Sequence, residues 1–208
     1  MWLRLLIILG ILWFLQQWFF VTDALVVKTN ILADYPVAFS TKLTLSQAPI
    51  QDNIEPQQAY TFQQYQITPL ARFQVEARVL SRTNYSSGRE AELSPVDLAL
   101  GWADMSNPDV LAQIRIRQSG RFYFWSVDSF PIPRQAIETN SANMHLIPAT
   151  ETVKKALRQI DEGDTVRLLG YLVNIDASDG WRWHSSLTRN DTGNGACELF
   201  LVAAVEQI

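Results

Sequence analysis

Gly163 to Val173 reads G-D-T-V-R-L-L-G-Y-L-V. After the glycine–aspartate turn the run is almost wholly apolar, Arg167 being the only charge from Thr165 onward. An apolar run of strand length opened by a turn signal predicts a buried β-strand. The flanks agree. Upstream, Thr150 stands where a helix N-cap belongs, and Val153, Ala156, Leu157 and Ile160 follow at helical spacing, which predicts a helix over Glu151 to Ile160. Downstream, Trp181 to Leu187 and Cys197 to Val205 read as two further strands. The last half of the chain is therefore expected to be a small antiparallel sheet, with an OB-like barrel as one candidate.

Working further outward, Phe73, Val75, Ala77 and Val79 alternate with Gln74, Glu76 and Arg78, the period-two pattern of a strand with one polar face. Ser94-Pro95-Val96-Asp97 has the cap and first-turn residues of a helix, which predicts one running to about Met105. Asn107-Pro108-Asp109 predicts a second, short one. Ile114 to Ser119 and Phe122 to Val127 flank Gly120 and predict a hairpin. Pro131 and Pro133 interrupt the chain. Strands and helices mixed in this order give an α+β domain over residues 67–208.

The N-terminus has a different character. Met1 to Val21 reads M-W-L-R-L-L-I-I-L-G-I-L-W-F-L-Q-Q-W-F-F-V and carries one charge, Arg4. A membrane-spanning helix needs about 20 apolar residues, so residues 1–22 are expected to form a transmembrane signal anchor. Trp2 and Trp18 stand at its two ends, where aromatic belts lie, and Arg4 before the span with Asp23 after it orients the N-terminus to the cytoplasm. The expected location is the inner membrane, single-pass, with the C-terminal domain in the periplasm or outside. Gln16 and Gln17 fall within the span, where they reach the outer headgroups or hydrogen-bond a neighbouring membrane helix. A cleaved signal peptide is the competing reading, but the apolar run exceeds an h-region and no small-residue cleavage site follows. Residues 23–66, rich in glutamine and proline towards the end, are expected to be a partly ordered connector, with a short strand possible at Lys42 to Leu45.

Composition narrows the function. The 208 residues are 48% hydrophobic and 18% charged, which suits an ordered domain, and the net charge of −4 argues against a nucleic-acid groove. One cysteine excludes an intramolecular disulfide framework. No cofactor is expected. Cys197, His145, His184 and neighbouring acids lack metal-ligand spacing, so no metal is expected either.

Several stretches resemble an uncharacterised family of bacterial membrane-anchored proteins. They are S-P-V-D-L-A-L-G-W-A-D-M-S from Ser94, N-M-H-L-I-P-A from Asn143, the Gly163 stretch, and S-S-L-T-R-N-D-T-G-N-G-A-C-E from Ser185 to Glu198. The resemblance implies a shared extracytoplasmic domain and brings no established activity, so no site residue is carried over from it. The G-D-T of Gly163 to Thr165 also matches thermonuclease-type nucleases locally, without the further acids and arginines that their chemistry needs.

No catalytic set is favoured by the residues themselves. A thiol enzyme would pair Cys197 with His145 or His184, but a cysteine opening an apolar strand is more often core. A serine enzyme would use Ser186, which shares a strand face with His184. For binding, Arg189 and Asp191 in the glycine-rich turn, and Trp102 and Trp183, are the candidates, each with a structural reading beside it. The expected function is a membrane-tethered interaction protein, a non-catalytic accessory subunit of a larger membrane complex, whose partners are the lipid bilayer and other membrane subunits. The alternative is a cell-envelope enzyme using Cys197 or a serine.

Overall fold

The computed structural model describes residues 43–55, 59–188 and 198–208. The expected anchor, with Trp2, Gln16, Gln17 and Trp18, and the turn holding Arg189, Asp191 and Cys197 lie outside these residues. Among the described residues no helix is long and apolar enough to cross a membrane.

The elements run in order as follows. Strand β1 spans Ile50–Asn53, β2 Tyr60–Phe62 and β3 Tyr65–Asn84. Helix α1 spans Arg89–Leu93 and strand β4 Val96–Gly101, followed by a 3-10 turn at Ala103–Ser106 and helix α2 at Pro108–Leu111. Strands β5 (Arg115–Ser119) and β6 (Phe122–Ser126) form the predicted hairpin. Helix α3 (Arg134–Thr139), strand β7 (Ser141–Pro148) and helix α4 (Glu151–Leu157) follow. Strands β8 (Thr165–Ala177), β9 (Arg182–His184) and β10 (Glu198–Gln207) complete the chain. The domain is α+β with a mostly antiparallel sheet, as expected.

The main sheet closes on itself. Its path runs β3-β4-β7-β10-β8, and β8 pairs back onto β3, so five strands form a ring. Every pair in the ring is antiparallel except β7 with β10. The 20-residue β3 makes closure possible. One of its edges pairs with β8 over Tyr65 to Arg78, while the other meets β2, β1 and β4 in succession. Register shifts at Pro69/Ala71 and Val79/Ser81 mark where the long strand bends.

Alternate residues fill the ring. Phe73, Val75, Ala77 and Val79 of β3 meet Leu98 and Leu100 of β4, Met144 and Leu146 of β7, Leu168 and Leu172 of β8, and Phe200 and Val202 of β10. Phe73 and Phe200 touch edge to face at 5.2 Å. Helix α4 adds Val153 and Leu157 to the same cluster and plugs one end. Its start is the predicted one: Thr150 Oγ1 accepts the amide of Val153 at 3.2 Å.

The outer face is covered too, which is why β8 reads as a continuous apolar run. Tyr171, Val173 and Ile175 on its outer side pack with Tyr65, Ile147, Leu199 and Leu201, and with Trp181 and Trp183 around β9. Elsewhere Leu80, Ala99, Met105, Ile114 and Ile137 form a third cluster beneath the β5–β6 hairpin. The polar alternation of β3 also ends up inside. Glu76 is 8% exposed and pairs with Arg167 opposite it on β8, which also binds Glu206 on β10.

Two expectations are overturned. Ser94 to Met105 is not a helix: Ser94 ends α1, and Val96–Gly101 is a strand in the ring. The cap signal at Ser94 is local. The V-D-L-A-L-G run pairs with β3 on one edge and β7 on the other, and that pairing satisfies its backbone along its whole length. Leu43 to Leu45 forms no strand either, and the first strand among the described residues is β1.

Candidate functional site

Asp97 on β4 and His145 on β7 stand directly opposite in register, both on the outer side of the ring. Neither reaches solvent: Asp97 is 0% and His145 2% exposed. Nδ1 of His145 lies 2.8 Å from Oδ2 of Asp97. The contact does not meet hydrogen-bond geometry, and it is a close charge pair only when the imidazole is protonated.

The other carboxylate oxygen is held from outside the ring. The β5–β6 turn consists of Gly120 at φ 57° and Arg121 at φ 67°. Two successive positive φ angles match the twist of flanking strands, and here they also aim Arg121 inward. Its Nη1 donates to Oδ1 of Asp97 at 2.8 Å and its Nη2 to the carbonyl of Ser94 at 3.0 Å. Ser94 Oγ adds a bond to Oδ1 of Asp97 at 3.3 Å. The guanidinium stacks on Tyr85 at 3.9 Å, and the Arg121 amide donates to the Tyr85 hydroxyl. Burial pushes the Tyr85 hydroxyl pKa up, and the negative charge of Asp97 adds to the rise. Asn143 on β7 completes the clamp by donating to the Arg121 carbonyl at 3.0 Å.

Trp183 packs its ring 5.0 Å from that of His145 and continues to Trp181 at 6.0 Å, which meets Tyr65 at 5.8 Å. Arg89 ends this aromatic row, stacked on Trp181 at 4.6 Å and bidentate to Asp179. Of the predicted binding residues, Trp183 therefore covers the Asp97–His145 pair. Trp102 is 1% exposed and sits among the residues filling the ring.

The two histidines take separate aspartates. His184 Nε2 lies 3.1 Å from Asp176 on the surface, and His145 keeps Asp97. Ser186 is 7% exposed, donating to the carbonyl of Thr188 and accepting its amide. Among the described residues no hydroxyl or thiol hydrogen-bonds either histidine, and no three of His, Cys, Asp and Glu converge as metal ligands.

No family model, curated protein or solved structure matches the chain. The site is therefore read from its own chemistry. A buried carboxylate held between a guanidinium and an imidazole costs several kcal/mol to desolvate and is stabilised only while all partners are in place. Such a cluster fixes geometry, and what it fixes here is the β5–β6 hairpin on the ring.

The hairpin's outer side is the part that sequence reasoning left unremarked. Its inward residues Ile116, Tyr123 and Trp125 pack on the third cluster. Phe122 and Phe124 point the other way and are 39% and 40% exposed, and Phe130 in the following loop is 55% exposed. Arg117 lies over Phe124 at 4.4 Å, and Phe130 touches Trp125 at 6.2 Å. The signal was present in F-Y-F-W at Phe122 to Trp125: four consecutive aromatics in a strand must put two on each side.

Proposed function

We propose that this protein is a membrane-tethered, extracytoplasmic interaction protein, a non-catalytic accessory subunit of a larger membrane complex, whose folded part is an OB-like barrel. What supports the barrel reading is the closed five-strand ring with α4 between its third and fourth strands. What supports the interaction reading is one observation: the rigidly held hairpin exposes Phe122 and Phe124, with Phe130 beside them. Monomeric soluble surfaces rarely collect large apolar side chains in one place, and phenylalanine and arginine are enriched where proteins meet. The alternative is a cell-envelope enzyme using Cys197 or a serine with His145 or His184; of the two imidazoles, that of His145 is closed in by Asp97 and Trp183, and that of His184 lies on the surface against Asp176.

The test is co-purification of the full chain from gently solubilised membranes. Phe122→Ser with Phe124→Ser is expected to leave the melting temperature within about 2 °C, since exposed substitutions usually change stability by under about 0.5 kcal/mol, while membrane subunits recovered with the wild-type chain are lost. Equal recovery by the double variant would remove the hairpin from the interface.

A further inference from the structure

A cleft of about 390 Å³ opens at the α4 end of the ring. Arg82 and Asn84 at the end of β3, Tyr85, Pro95 and Val96 before and at the start of β4, Pro148 at the end of β7, and Lys154, Leu157 and Arg158 of α4 and its cap line it. Three of these side chains are cationic and none is acidic, on a chain whose net charge is −4. Like charges gathered in a concave surface raise the local potential and draw an opposite charge into it.

Two of the three cations are not consumed by the fold. Lys154 has only a surface contact to Glu151 at 3.3 Å, both side chains being partly exposed, and such pairs hold little energy. Arg158 is exposed. Arg82 is the least exposed of the three and the one the fold uses. Its Nη2 caps α4 through the carbonyls of Leu157 and Arg158 at 3.5 and 3.3 Å, and Nη1 meets exposed Asp161 at 3.4 Å. Its Nε is buried without an acceptor, and a buried donor left unmade is costly. Beside the cations, Asn84 and Tyr85 bring neutral polar groups, and Pro95, Val96, Pro148 and Leu157 supply an apolar wall. The volume is that of a small-molecule site.

We propose that this cleft binds a small phosphate-bearing ligand, its phosphate held by Arg82, Lys154 and Arg158 and its carbon portion laid on the Pro95–Pro148 wall. The site touches the hairpin turn through Tyr85 but uses none of the exposed phenylalanines, so it stands or falls independently of the interaction reading. Two sources share this chemistry: a free phosphate compound and a phospholipid headgroup.

The test uses the full chain in non-ionic detergent. Inorganic phosphate and glycerophosphoglycerol, a soluble headgroup, are titrated against chloride at matched ionic strength, with thermal shift and calorimetry as readouts. Both are expected to bind where chloride does not, and the tighter of the two identifies the source. Lys154→Gln with Arg158→Gln is expected to weaken binding at least tenfold. A readout without variants guards against misfolding: bound ligand should slow acylation of Lys154 relative to Lys155, its exposed neighbour outside the cleft. Binding no better than chloride, equal affinity in the double variant, or equal slowing of both lysines would overturn the proposal.

Discussion

At the scale of single residues, the Asp97 carboxylate decides the most. It was read from sequence as a helix-start acid, and it is instead the buried centre shared by Arg121, His145 and Ser94. Removing Arg121 strands that charge, so Arg121→Ala is expected to cost about 3–5 kcal/mol in denaturant unfolding. Asp97→Asn in the same background should recover part of the loss, and the double-mutant cycle measures the coupling. Tyr123 offers a pH test. Burial raises its hydroxyl pKa to about 12 from 10.0, with its contact to Ser141 opposing weakly. The folded state therefore keeps a proton that the unfolded chain releases near 10. This contribution is fully present below about pH 10 and is lost as pH climbs towards 12. Two pKa units correspond to roughly 2–3 kcal/mol. Tyr123→Phe should flatten the fall in stability over that window; an unchanged profile would show that the hydroxyl ionises normally.

At the scale of elements, two strands meet more closely than side chains allow. A Cβ on Gly170 would lie 1.9 Å from the carbonyl oxygen of Leu201, so Gly170→Ala must push β8 and β10 apart just where they close the ring. A soluble, cooperatively melting Gly170→Ala protein would contradict this pairing. Leu157→Ala is a milder change. Leu157 is 1% exposed where α4 plugs the ring, and its truncation should cost about 2–5 kcal/mol in the melt. Local elements of this kind were legible in advance. The Thr150 cap, the Asn107 cap of α2, and the hairpin around Gly120 all rest on interactions within a few residues. Strand β4 was not legible, because its cap-like Ser94-Pro95 start is a true local signal overruled by two distant partners. Strand β7 alternates over Ser141 to Leu146, but that pattern marks its polar face as exposed, whereas Asn143 and His145, with Ile147 beyond them, are buried under the hairpin and the aromatic row.

At the scale of the whole molecule, the proposed topology is directly measurable. A reporter fused after Ile208 should behave as extracytoplasmic, with the chain in the membrane fraction; a soluble mature chain lacking residues 1–21 would replace the anchor by a signal peptide. For the described domain, composition and periodicity by themselves determined an α+β class, the capped helix before a buried strand, and a turn at Gly120, because each follows from backbone and burial preferences repeated along a short stretch. Only the tertiary structure decided that the sheet closes, since closure depends on β3 meeting β8, about a hundred residues away, along an edge that no local pattern marks. It alone decided which polar residues go inside. Asp97 and His145 look like ordinary surface-face residues of alternating strands until the hairpin folds over them and Arg121 arrives from 24 residues downstream of Asp97. A desolvated charge is tolerable only when its partners are already in place, and partners so far apart in the chain are brought together by the fold alone.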